Sequence, residues 1–159
     1  MDLNEVITEE TILFGLQSPT KEDALRSMVQ RLFDTGRIDD FDAFLENVLE
    51  REKIESTDMG IGVAIPHGKS AAVQQTSVVI GLLAAPICWN KDEEEENPKP
   101  IFAIFLLAVP ASDENGSLHL ELISKVATLL IDDDFIEVLK TTPNESGLLK
   151  SIEEFIGGM

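Results

Sequence analysis

Two apolar segments constrain the fold of this chain more than any other feature. Ser77-Val-Val-Ile-Gly-Leu-Leu83 and Ile101-Phe-Ala-Ile-Phe-Leu-Leu-Ala108 contain no charged residue. A strand with one wet face alternates apolar and polar positions, and these segments do not. Each is therefore expected to be a central strand covered on both sides. The run Ile101 to Pro110 is about half of the ~20 residues that a membrane helix requires. Thr11 to Leu16 predicts a further strand. The segments between them carry helical spacing. Thr20-Lys-Glu-Asp23 resembles a capping box and opens a helix with Ala24, Leu25, Met28, Val29 and Leu32 inward, closed by Gly36. A second helix from Asp40 places Phe41, Phe44, Leu45, Val48 and Leu49 on one face and runs into Arg51-Glu-Lys53. Leu118 to Ile131 predicts a helix with Leu122, Val126, Leu129 and Leu130 inward. Asp132-Asp-Asp134 caps a short helix through Leu139, and Asn144 to Ile156 forms the last. Strands alternating with helices predict an α/β sandwich, a central sheet flanked by helices on both faces.

At 159 residues and 43% hydrophobic content, the chain suits a single domain over residues 1–159 with its own core. The acidic stretch from Asn90 to Pro100 is expected to be an exposed loop without a domain boundary. Cys88 is the only cysteine, which excludes an intrachain disulfide and a thiolate zinc cluster. Its apolar neighbours predict a buried, inert thiol. The start of the chain is acidic and lacks both the basic and the apolar regions of a signal peptide, so a soluble cytoplasmic protein is expected. The formal net charge is −18. Such a surface repels nucleic acid and anionic lipid. Any phosphate must be held by local donors against that field. The acidity either steers a basic protein partner or serves solubility alone.

The segment Gly60-Ile-Gly-Val-Ala-Ile-Pro-His-Gly68 carries the chemistry. Ile61 to Ile65 predicts a short buried strand. Pro66 biases Ile65 toward extended backbone and is expected to end the ladder pairing. Gly68 is expected to turn the chain sharply and to leave the imidazole of His67 open to a partner. His67 and His119 are the only histidines. Neither has a second ligand at i+3, i+4 or i+5, and no H-E-x-x-H occurs, so no metal is expected. Gly68-Lys-Ser70 lacks the glycine five residues earlier that a phosphate-binding loop needs, and Pro66 removes an N–H such a loop would use, so no nucleotide cofactor is expected either.

Phosphohistidine chemistry suits these residues better. A neutral imidazole attacks phosphorus with one nitrogen while the other is held by a hydrogen bond. The phosphoryl oxygens then need donors, and a guanidinium fork is well matched to them. Of the four arginines, Arg51 ends the helix just before the glycine segment and is the one expected near His67. Its simpler role is a cation at a helix C-terminus. His119 starts a helix, where it either covers the edge of the core or faces His67 and contacts phosphate or orients the ring. Ser56 and Thr57 either donate hydroxyl groups or make a turn.

Arg51-Glu-Lys-Ile-Glu-Ser-Thr57, followed by Gly60 to Gly68 with its Ala-Ile-Pro-His-Gly core, resembles enzyme IIA of the bacterial sugar phosphotransferase system, fructose/mannitol type. Leu118-His-Leu-Glu-Leu-Ile-Ser-Lys-Val-Ala-Thr-Leu-Leu130 resembles the helix that carries that family's second histidine. The resemblance covers nearly the whole chain. It implies a mixed sheet flanked by helices, in a phosphotransferase/anion-transporter-like α/β sandwich. It implies that His67 takes a phosphoryl group at Nε2 from the phosphocarrier HPr and passes it to a cysteine of a IIB domain. Arg51 and His119 would be phosphate-contacting or orienting groups. The IIB domain would then phosphorylate a sugar, fructose-like or a hexitol, imported by the membrane IIC unit. Catalysis would need no metal or cofactor, and the site would be shallow and rimmed by apolar surface. Many members read Ser-Thr-Gly-x-Gly-Asn-Gly where this chain has Ser56-Thr-Asp-Met-Gly-Ile-Gly62, so Asp58 and Ile61 are departures near the site. Two alternatives stand beside transport. One is a regulatory, nitrogen-related IIA whose phosphorylation state controls other proteins. The other is a binding module in which His67 is a turn residue.

Overall fold

In a computed structural model of the chain, residues 3–89, 100–113 and 116–157 are described. The acidic loop expected from Asn90 to Pro100 therefore lies almost wholly outside the described residues. A short helix α1 (Leu3–Val6) precedes strand β1 (Ile12–Leu16), α2 (Lys21–Asp34) and α3 (Phe41–Ile54). Then come β2 (Val63–Ala64), β3 (His67–Ser70), β4 (Ser77–Ile87) and β5 (Ile101–Pro110). Helices α4 (Ser117–Ile131), α5 (Asp133–Thr141) and α6 (Glu145–Gly157) close the described chain. The caps behave as their side chains dictate. Thr20 accepts from the Asp23 N–H at 3.2 Å, Asp40 from Ala43 at 3.0 Å, and Asp132 from Asp134 at 2.9 Å.

The sheet is mixed, with β4 and β5 at its centre, antiparallel to one another. β1 runs parallel to β4 on one side, and β2 and β3 run parallel to β5 on the other. Two apolar layers cover its faces, as the doubly apolar strands require. Phe105, Leu107 and Val109 of β5 pack with Leu122, Val126, Phe135, Leu148 and Ile152 of α4 to α6. Ile104, Leu106 and Ala108, pointing the other way, pack with Leu25, Met28, Phe44 and Val48 of α2 and α3. The expected α/β architecture with helices on both faces is what the chain adopts.

Three local expectations are corrected. First, Pro66 does not end the pairing. Val63 aligns with Ala103, and His67 with Leu107, in one unbroken register along β5. Pro66 lacks an N–H, but its carbonyl still accepts from the Leu107 N–H at 3.0 Å. β2 and β3 are thus one edge strand pinched at Ile65 and Pro66, and the expected strand from Ile61 shortens because Gly60 and Gly62 take positive φ. Second, Gly68 is not a turn. It lies in β3, and a Cβ there would stand 2.9 Å from Phe44 Cε2 and from Val48 Cγ2. The glycine lets α3 lie directly on β3. Third, Cys88 is exposed. Ile87 and Trp89 are buried on either side of it, while the thiol lies just past the end of β4.

Candidate functional site

The site forms where β3, the end of α3 and the start of α4 meet. Gly68 faces α3, so alternation turns the His67 side chain to the opposite side of the sheet, where α4 begins. There the His67 and His119 rings lie 4.5 Å apart, edge to face at 68°. Arg51 reaches the same imidazole from the last turn of α3. Its Nε–H donates to His67 Nε2 at 3.0 Å, and its Nη1 donates to the Glu55 carbonyl at 2.8 Å. The structure thus brings together the three residues singled out in the sequence.

The two ring nitrogens of His67 have different partners, and those partners define its tautomer. A guanidinium can only donate, so Nε2 is the acceptor and carries the lone pair. Nδ1 therefore holds the proton and donates it to the Ile65 carbonyl at 3.2 Å. Burial pushes the His67 pKa down to about 4, with the neighbouring His119 and Arg51 lowering it further and the Ile65 bond opposing them. At neutral pH the ring is uncharged, with a nucleophilic nitrogen held against a cation.

His67 is not as open as the sequence suggested. It is only 8% exposed, because the Arg51 and His119 side chains pack against it. Ile54, Met59, Ile61 and Leu120, on the segments that build the site, are exposed apolar side chains. The Arg51 Nε–H covers the Nε2 lone pair in this arrangement.

His119 is held through its backbone. Asp113 caps the first turn of α4, accepting from the Leu118 N–H at 3.2 Å and the His119 N–H at 3.1 Å. The His119 Nε2 is buried and has no hydrogen-bond partner among the described residues. Burial lowers the His119 pKa, Lys69 and Arg51 lower it further, and Asp113 opposes them. Burial pushes the Asp113 carboxyl up, but the His119 and Leu118 amides, with Lys69, hold it below its usual value.

Sequence reasoning missed Lys69 and Asp113. Lys69 Nζ donates to the Asp113 carbonyl, which ties β3 to the loop before α4. A signal was present: Lys69 stands two residues past His67 in a strand, on the same side. Ser56 and Thr57 do not join the imidazole contacts. Thr57 donates its hydroxyl to the Glu52 carboxylate, and Ser56 accepts from the Asp58 N–H at 3.2 Å, as a turn residue does. The Asp58 carboxylate accepts from the Gly60 N–H at 2.9 Å, closing the loop that precedes β2. Among the described residues, no group of three or more His, Cys, Asp or Glu is arranged to hold a metal ion. Among the same residues, no helix is long and apolar enough to cross a membrane.

Residues 5–155 match the family model for the phosphoenolpyruvate-dependent sugar phosphotransferase system, EIIA 2. The chain is 31% identical over 156 residues to the 2-O-alpha-mannosyl-D-glycerate-specific EIIABC component from Escherichia coli strain K12, covering 97% of this chain. It spans only 23% of that longer relative's own length. It is 34% identical over 142 residues to a fructose-specific EIIA component from Haloferax volcanii, covering 87% of this chain and 88% of that one. The solved nitrogen regulatory protein IIA-Ntr from Neisseria meningitidis shares the fold with a TM-score of 0.81 at 26% identity, covering 94% of this chain and 97% of that one.

Proposed function

Because the chain belongs to the EIIA 2 family of the phosphoenolpyruvate-dependent sugar phosphotransferase system, a phosphotransfer component of that system, we propose that His67 is its phosphoryl carrier. The observation that carries this reading is the pair of bonds on the His67 ring. Nδ1–H is fixed on the Ile65 carbonyl, and the lone pair of Nε2 faces the Arg51 guanidinium. Nε2 attacks the phosphorus of phospho-HPr, a bond from phosphorus to Nε2 forms, and the bond from phosphorus to the donor breaks. Positive charge develops on the ring, and the Ile65 carbonyl stabilises it through Nδ1–H. Arg51 moves from Nε2 to the phosphoryl oxygens, where its fork contacts two of them. His119 Nε2, which has no hydrogen-bond partner among the described residues, turns toward the phosphoryl group. Transfer onward to a cysteine of a IIB domain reverses these contacts.

The acceptor and donor on this reading are both proteins, HPr and IIB, and the exposed Ile54, Met59, Ile61 and Leu120 supply apolar surface for them. Arg51 and Lys69 give the site local positive charge inside a body of net charge −18. The protein acts in the cytoplasm and serves a membrane IIC unit through IIB. Fructose-like sugars or hexitols are the proposed cargo, a choice supported by the fructose-specific relative. The likeness to IIA-Ntr supports a second reading, in which the same phosphohistidine controls the binding of another protein.

One assay tests the carrier reading. The protein is incubated with phosphoenolpyruvate, enzyme I and HPr, and acid-labile, alkali-stable phosphate is measured. Uptake that disappears in His67→Ala is the expected result. No uptake by the wild type defeats the reading, and uptake that survives in His67→Ala defeats the site.

A further inference from the structure

Directly after Arg51 comes a carboxylate that the phosphoryl step does not use. Glu52 is buried, with only 3% of its side chain exposed. Burying a carboxylate is costly unless partners replace the lost water. Glu52 has four such contacts. The Thr57 hydroxyl donates to Oε1, and the Thr57 N–H lies 3.5 Å from Oε2. Trp89 Nε1–H donates to Oε2 at 3.2 Å, and Lys21 Nζ stands 3.6 Å from the same oxygen. These partners come from the start of α2, the loop after α3 and the segment just after β4, so Glu52 draws three segments onto one point.

The network continues toward His67. The Thr57 carbonyl accepts from the Ile65 N–H at 3.0 Å. The Ile65 carbonyl in turn accepts from His67 Nδ1–H at 3.2 Å. Glu52 also fixes the end of the helix that carries Arg51, and Arg51 bonds the other ring nitrogen. We propose that Glu52 is a positioning residue for phosphoryl transfer at His67, holding both ends of the imidazole through Thr57–Ile65 on one side and Arg51 on the other. The coupling is geometric. The Thr57 hydroxyl and the Thr57 carbonyl are not conjugated, so what passes along the chain is position and not charge. Positioning of this kind acts on the transfer step, because a nucleophile displaced by a fraction of an ångström loses its line to phosphorus.

The inference rests on reading His67 as the nucleophile, and its test separates the two. Glu52→Gln, Thr57→Val and Thr57→Ser are made in the full chain. Two readouts are taken: the nitrogen NMR signals of the His67 ring without any phosphate donor, and kcat and KM for transfer from phospho-HPr. Glu52→Gln and Thr57→Val are expected to move both ring signals toward those of a mobile imidazole. They are expected to lower kcat about tenfold while KM changes less than about twofold. Thr57→Ser, which keeps the hydroxyl, is expected to restore wild-type signals and rate. Should Glu52→Gln fail to fold, the Thr57 pair decides. Unmoved ring signals in a chain that does transfer phosphate overturn the Glu52 proposal alone. So does a rate loss that merely follows the loss of folded protein. A wild-type chain that takes up no phosphate overturns the carrier reading, whatever the ring signals do.

Discussion

His67 and His119 meet edge to face, yet the chain holds them in opposite ways. His67 is fixed by its ring: both nitrogens are bonded, one to a backbone carbonyl and one to a guanidinium. His119 is fixed by its backbone N–H on Asp113, while its Nε2 has no hydrogen-bond partner among the described residues. A nucleophile must be aimed before the reaction, because its direction of attack decides the rate. A group that meets the phosphoryl oxygens can be left unsatisfied until they arrive. On the proposed carrier reading, the contrast gives aim to His67 and response to His119.

The largest expected effect comes from the ring contact that only His67 has. Arg51→Ala should lower the transfer rate by about 100- to 1000-fold, the range seen when a donor to developing charge is removed. Arg51→Lys should recover little of it, since an ammonium supplies neither the Nε–H bond nor the fork. Single-turnover labelling from phospho-HPr checks both. Recovery of most of the rate by lysine would mean that charge alone is used.

The next effect is on stability. The folded pKa of His67 is near 4 against an ordinary 6.5, so the unfolded chain binds the extra proton between those values. Its contribution is fully present above pH 6.5 and is lost as pH falls toward 4. The loss is at most about 3 kcal/mol, and solvent screening brings it lower. Denaturant unfolding of the wild type and of His67→Ala at pH 7 and pH 4.5 isolates it, because other titrating groups cancel in the difference. Equal pH dependence in the two proteins would contradict the burial of a neutral His67.

A smaller effect strains only the His67 side. In Gly68→Ala the added methyl meets Phe44 and Val48 at 2.9 Å, which should destabilise the fold by about 1–3 kcal/mol and loosen the His67 ring. The Asp113 cap on His119 should be untouched, and the amide NMR signals of Leu118 and His119 report on it. The smallest effect is His119→Ala, expected to slow transfer about tenfold without moving the attachment point, as fits a group not yet fully aimed. An unchanged rate would reduce His119 to a cover for the edge of the core.

Much of the fold was legible because it depends on patterns within one segment. The unalternating runs of β4 and β5 marked a sheet buried on both faces, and Thr20, Asp40 and Asp132 marked helix starts by chemistry local to a single turn. The expectations that failed depend on partners far along the chain. The missing N–H of Pro66 predicts a strand end, but its carbonyl still serves β5. Gly68 after a Pro-His pair predicts a turn, although what requires the glycine is α3 lying on β3. Glu52 is one more acidic residue in a helical stretch, and nothing near it in sequence announces Trp89 as its partner. At the candidate site, the residue types of Arg51, His67 and His119 could be named in advance. Their geometry could not, nor could the burial of His67 that follows from it.

The most direct test of the central claim is to locate the phosphorus. The labelled protein is analysed by NMR for the ring nitrogen that couples to phosphorus. The account predicts a single attachment at Nε2 of His67, with Nδ1 still protonated and bonded to the Ile65 carbonyl. Attachment at Nδ1 of His67, or at either nitrogen of His119, would contradict it.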